Sequence, residues 1–205
     1  MRTVEQLPDT CVHAGAQMLH ATKALVLADD DEARDVIRVH DELAALTVMA
    51  QASVLQLLVR HEGDLPGLSV SLQIIGDLNE MNLLARRVAR VALRAYPEHA
   101  VPEDVNEYFS EMGERADQLG RRLGEFLAGT TEMHRIGHEE DEIDRQHRRL
   151  HTAMTAPGEW LHSIAVALDV LRLDIYYERF TDYAVAIAHR VLKLNEDIPP
   201  TPNSR

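Results

Sequence analysis

The sequence predicts an all-α protein of six helices arranged as two tandem three-helix bundles. Three observations lead there. Aromatic residues are only 4% of the 205 residues, while Ala, Leu, Val, Arg and Glu dominate, a helix-forming composition with few stretches of β-type alternation. Pro, Gly and Asp punctuate the chain at intervals that suit helices of twenty to thirty residues. Sliding the second half back by about a hundred residues sets Phe126-Leu127-Ala128 over Val26-Leu27-Ala28 and Asp141-Glu142-Ile143 over Asp41-Glu42-Leu43. The same shift lays residues 182–188 over 83–89.

Taken in order, Pro8-Asp9-Thr10 precedes a first helix ending near Leu27, and Asp29-Asp30-Asp31 supplies the N-cap and first-turn acids of a second that runs to about Arg60. Gly63 and Pro66 interrupt the chain before a third helix that Pro97 ends. Pro102 opens a fourth, closing at Ala128-Gly129. Thr130-Thr131 is read as the cap of a fifth, reaching about Met154, and Pro157 as the opening of a sixth that runs to Leu194. The two repeats are expected at residues 1–97 and 103–194, with the proline-rich remainder, 195–205, a disordered tail. Gly76, Gly113, Gly120, Gly124 and Gly137 fall inside helices at roughly 1 kcal/mol each relative to Ala, a cost that close helix approach or a subunit contact would explain.

Charge and composition exclude several classes of function. A formal net charge of −13 works against nucleic acid and anionic lipid. The single cysteine, Cys11, permits no intramolecular disulfide and suits a reducing compartment. The run from Thr47 to Val59, interrupted by Gln51 and Gln56, is too short to span a bilayer, and the first ten residues lack an apolar signal core. A cytoplasmic protein with no direct membrane insertion is expected. No phosphate-binding loop, nucleophile elbow or zinc-ligand spacing occurs.

The chemistry concentrates in the last two helices. Glu178 and Asp182 are four residues apart, so their Cβ atoms stack on one helix face roughly 5–6 Å from each other. They continue the spacing of Ile164, Leu168, Leu171 and Ile175, which places them in the apolar seam. Glu140 and Asp144 form a matching pair on the fifth helix, and antiparallel packing would bring all four carboxylates to one surface. Such hard oxygen donors suit Mg²⁺, Mn²⁺ or iron. The plainer reading is a solvated face, or ion pairs with Arg145, Arg148 and Arg179. A carboxylate-bridged oxidase or hydrolase is the alternative function. Its Glu-x-x-His elements would be Asp144-x-x-His147 and Glu159-x-x-His162, but His162 precedes Glu178 by roughly 24 Å of helix.

The segment Y-E-R-F-T-D-Y-A-V-A-I-A-H-R-V resembles the repeated signature of the PhoU family, a Leu-Glu-Arg-Ile-Gly-Asp-like motif followed by an Ala-rich stretch. E-D-E-I-D resembles the family's Asp-x-x-x-Asp motif one helix earlier, and a weaker first-repeat match is visible in V-I-R-V-H-D-E-L-A, G-D-L-P-G-L and S-L-Q-I-I-G-D-L-N-E-M-N. The resemblance implies a duplicated PhoU-like repeat and a cytoplasmic, dimeric, non-enzymatic regulator that binds metal through its acidic motifs. It implies docking on the ATPase subunit of a phosphate ABC transporter and on a phosphate-sensing histidine kinase, as a negative regulator of uptake and starvation signalling. In the second repeat the motif positions are Glu140, Asp144, Glu178 and Asp182; in the first they fall on His40, Ala44, Asn79 and Leu83, with Asp41, Asp77 and Glu80 nearby in a shifted register. One metal site per protomer is therefore expected instead of two. The family's Asp-Leu-Arg after the second helix is here Asp64-Leu65-Pro66.

Overall fold

The computed structural model describes residues 6–155 and 164–197. They form six α-helices: α1 (Leu7–Leu27), α2 (Asp30–Arg60), α3 (Leu65–Ala95), α4 (Asn106–Leu127), α5 (Met133–Thr155) and α6 (Ile164–Asp197), with a single 3₁₀ turn, Glu103–Val105, ahead of α4. The helix ends follow from local chemistry. Asp29 accepts the Glu32 amide at the start of α2, and Asp64 accepts the Gly67 amide at the start of α3. Pro8 and Pro66 each stand in the first turn of a helix, where a missing N–H costs nothing, so α1 and α3 begin just before these prolines. Thr130 departs from expectation: its hydroxyl donates to the Glu125 carbonyl at 2.9 Å and so finishes α4. At the far end α6 continues through Asp197, three residues past Leu194. Pro157, Glu159, His162 and the tail beyond Asp197 lie outside the described residues.

The helices make two layers. One has α2, α3, α6 and α5 side by side; the other has α1 lying on α2 and α3, and α4 lying on α5 and α6. The α1–α4 pair forms the most extensive helix contact and, with α3–α6, joins the two three-helix units across one continuous core. The α3–α6 seam is antiparallel. Arg94 meets Asp169 at 3.0 Å, Arg87 lies over the Tyr176 ring at 5.8 Å, and Arg190 holds both Gln73 and Asp77.

Glycine explains how α1 and α4 come so close. A Cβ on Gly120 would stand 2.7 Å from the Cys11 carbonyl oxygen and 2.8 Å from the Gly15 Cα; one on Gly124 would stand 2.8 Å from the Pro8 carbonyl oxygen. Gly113 is pressed against Thr22 in the same way. Gly76 and Gly137, by contrast, have open space where a Cβ would go. The same substitution is therefore expected to act with opposite sign at two sites. Gly76→Ala should stabilise by about 0.5–1 kcal/mol through helix propensity alone. Gly120→Ala should destabilise, because the roughly 1–3 kcal/mol of overpacking against immovable backbone outweighs that gain. Thermal unfolding of the two variants checks this, at about 2–4 °C per kcal/mol for a chain of this size.

Cys11 sits in this seam, fully buried, and burial pushes its thiol up to about 12, so it is an unreactive packing residue. α2 behaves otherwise. It contains an 18-residue window of mean hydropathy 1.6 of which only 6% is buried, and by length and composition it is apolar enough to cross a membrane. The Gln-interrupted run read from Thr47 to Val59 thus underestimates how far the apolar character of this helix extends.

Candidate metal centre

Helices α5 and α6 run antiparallel side by side. His147 Nδ1 stands 2.8 Å from Asp174 Oδ2, and two turns earlier on α5 Glu140 feels the charges of Asp182 and His189. Asp144, one turn from Glu140, therefore falls level with Glu178. The structure thus sets Glu140 within electrostatic reach of Asp144 on its own helix and of Asp182 on α6.

Their depth differs from the expectation. Glu178, Asp182 and Asp144 are exposed and Glu140 is half-buried, so the quartet opens to solvent and does not lie in the apolar seam. The stripe of Ile164, Leu168, Leu171 and Ile175 that leads to Glu178 is exposed too, while α6 buries Val170, Leu173, Tyr177, Phe180, Ala184, Ile187 and Ala188. Both stripes have helical spacing. The inward one carries Tyr177 and Phe180, whose large rings gain most from leaving water, and Ala184 and Ala188, which allow close packing.

The electrostatics fit a bound cation. Burial first, and then the neighbouring charges of Asp144 and Asp141, with a further contribution from Asp182, hold the Glu140 carboxyl above the usual glutamate range; His189 opposes them. None of the four acids forms an ion pair among the described residues. The arginines read as their partners are engaged elsewhere: Arg145 with Glu142 at 2.8 Å, Arg148 with the Asp144 carbonyl at 3.1 Å, and Arg179 with its own neighbour Tyr183. Among the described residues no three His, Cys, Asp or Glu side chains converge closely enough to hold an ion, so closing on a metal requires rotation of these exposed side chains. By donor type, the quartet fits a hard divalent cation.

The corresponding surface of the first repeat is built differently. His40 is buried, and burial, reinforced by Arg86, pushes its imidazole below the usual histidine range. Asp41 pairs with Arg86 at 3.2 Å and Asp77 with Arg190, so two of the three acids in shifted register already have cationic partners. Ala44 and Leu83 offer no ligand atom. Asp64, in the altered Asp-Leu-Pro segment, serves as the N-cap of α3.

One constellation was missed in the sequence. His147 and Asp174 meet one turn from Asp144 and Glu178, and Asp174 is buried, with burial raising its carboxyl and His147 opposing the rise. The signal was the i, i+4 spacing of Asp174 with Glu178 and of His147 with His151.

Comparison with known proteins places this architecture. The chain is 39% identical over 193 residues to the phosphate-specific transport system accessory protein PhoU homolog 2 of Mycobacterium tuberculosis, covering 92% of this chain and 90% of that one. In fold it is similar to the crystal structure of PhoU from Pseudomonas aeruginosa, with a TM-score of 0.68 at 20% identity, covering 96% of this chain and 99% of that one. It is likewise similar to the phosphate transport system regulatory protein PhoU from Streptococcus pneumoniae, with a TM-score of 0.73 at 18% identity over 94% of each chain. No family model matches the chain.

Proposed function

The chain belongs to the PhoU family, and from that premise we propose that it is a non-enzymatic, cytoplasmic regulator of phosphate uptake and phosphate-starvation signalling. It acts by docking on the ATPase subunit of a phosphate ABC transporter and on a phosphate-sensing histidine kinase, restraining both when phosphate is plentiful. It works as a homodimer, and the quartet of Glu140, Asp144, Glu178 and Asp182 binds a divalent metal, Mg²⁺, Mn²⁺ or Fe²⁺, one site per protomer.

The observation that carries this reading is kinship, over about nine tenths of each chain, with a phosphate-specific transport system accessory protein. Two surface features support it. Leu46, Val48, Met49, Leu55 and Val59 on α2 and Ile164, Leu168, Leu171 and Ile175 on α6 are exposed, and apolar helix faces of this kind mark association surfaces. A cavity of about 370 Å³ opens between α1, α2 and α3, lined in part by Leu43, Leu46, Met49, Ile75 and Leu78, and provides concave apolar surface beside the exposed α2 face. Deleting the gene is expected to switch on phosphate-starvation genes in high phosphate, measured as transcript levels and restored by the wild-type copy. Unchanged transcripts would remove the assignment.

A further inference from the structure

The cavity between α1, α2 and α3 has a wall of one-sided chemistry. No residue lining it, among those described, carries a charge. Its polar side chains have spent their donors inside their own helices. The hydroxyls of Thr10, Thr47 and Ser53 donate to the carbonyls of Gln6, Leu43 and Met49, each at 2.9 Å, and the Asn82 amide donates to the Leu78 carbonyl at the same distance. A hydroxyl whose proton is committed in this way still has lone pairs to offer, so Thr10, Thr47 and Ser53 meet an occupant as acceptors. Asn82, 6% exposed, adds to the shortage of donors, because its Oδ1 atom is enclosed and accepts no hydrogen bond. Of the lining side chains, the exposed Gln6 alone keeps an amide donor in reserve.

The remainder of the wall is apolar, with Ile75 and Leu78 buried at its base and Leu43 half-buried beside them. A volume of about 370 Å³ is that of a small-molecule site. An ion entering it would shed hydration and meet no opposite charge, which is costly. A molecule apolar over most of its surface gains by leaving water there, and an N–H or O–H on it finds the waiting oxygens. A polar end that only accepts finds no such match.

We propose that this cavity binds a neutral, largely apolar small molecule of the indole or phenol class, whose N–H or O–H donates to the hydroxyl oxygens that Thr10 presents from α1 and Thr47 from α2. Such a molecule is held by three helices at once, since the cavity is lined from α1, α2 and α3. It would also cover Leu46 and Met49, which line the cavity and are exposed on α2. Occupancy therefore alters the α2 face that the docking reading uses, although the site itself does not rest on that reading.

Indole and benzofuran test this, because they share size and shape while one carries an N–H donor where the other has an ether oxygen. Each is titrated into the full-length protein and followed by the methyl resonances of Leu43, Ile75 and Leu78. Indole should move those resonances and bind about five- to tenfold more tightly than benzofuran, the worth of one net hydrogen bond. Thr10→Val/Thr47→Val keeps the shape of the wall and removes its acceptors, so it should bind the two probes equally. Equal binding of both probes by the wild type overturns the proposal, as does a preference for indole that survives in Thr10→Val/Thr47→Val. Absence of any shift up to the solubility limit of indole, or shifts confined to methyl groups away from the cavity, overturns it too. If the same resonances move when the protein is merely concentrated without probe, a second copy of the chain fills the cavity and the small-molecule site is wrong. The probe comparison and the mapping use wild-type protein, so they decide the matter even if the valine variant fails to fold. None of these outcomes bears on transcript levels in the deletion strain, and this inference and the regulatory reading fail separately.

Discussion

Tyr177→Ala is expected to cost the fold about 3–5 kcal/mol, the range for removing a fully buried aromatic. Tyr177 is 2% exposed, and its ring stands 5.8 Å from that of Phe109 on α4. Its hydroxyl meets Thr22 Oγ1 on α1 at 2.7 Å. Thr22 gives its own proton to the Met18 carbonyl, so Tyr177 is the donor of the pair. Burial pushes the phenol well above its ordinary range, which keeps it protonated for that role. One side chain therefore ties α6 to both helices of the opposite layer, next to the point where Gly113 lets α4 press on Thr22. Tyr177→Phe should cost only about 1 kcal/mol, because Thr22 keeps its bond to Met18 and only one hydrogen bond is lost. Denaturant unfolding of the two variants separates packing from hydrogen bonding. Equal losses would mean that the hydroxyl pair, and not the ring, joins the layers.

What the sequence revealed and what it hid divide along a physical line. The start of α2 and the breaks around Pro8 and Pro66 were legible because Asp29 and these prolines act on their own neighbours in the chain, whereas Asp64, which caps α3, went unread. The antiparallel pairing of α5 with α6, and with it the surface that Glu140 shares with Asp182, was legible from helices joined by short turns. The depth of that surface was not. α6 has two apolar stripes of equal periodicity, and only the packing of Tyr177 and Phe180 against the other layer decides which turns inward. In the same way the glycines read alike in sequence, and the approach of α1 to α4 separates the tight Gly113, Gly120 and Gly124 from the open Gly76 and Gly137. The His147–Asp174 pair was hidden for a related reason: its two members come from different helices, and His147 was read only with Asp144 on its own helix.

The decay of the first repeat also acquires a physical content. Where the second repeat displays four acids without ion pairs, the first answers Asp41 with Arg86 and Asp77 with Arg190. These ion pairs are half-exposed, and pairs of that kind contribute little to stability. What they change is the charge of the face: with Asp41 and Asp77 matched by arginines, it presents less net negative charge to a divalent cation. The Asp77–Arg190 contact further fastens α3 to α6.

Glu140→Ala/Asp182→Ala should abolish Mn²⁺ binding by the quartet while leaving the metal-free protein as stable as the wild type or slightly more so. The two effects have opposite signs because the same repulsion underlies both. In the absence of metal, Asp144, Asp141 and Asp182 crowd Glu140 with like charge, and relieving one such pair on a helix surface is worth a few tenths of a kcal/mol. In its presence the attraction of the ion to the same carboxylates outweighs that repulsion. A metal at about 100 times its Kd stabilises the folded wild-type chain by about 2.7 kcal/mol, which raises Tm by roughly 5–10 °C. The variant should show no such rise, and elemental analysis after equilibration with Mn²⁺ should find about one ion fewer per protomer than in the wild type. If the two proteins hold equally little Mn²⁺ and their melting temperatures respond equally, the quartet is a solvated acidic face and the metal reading is withdrawn.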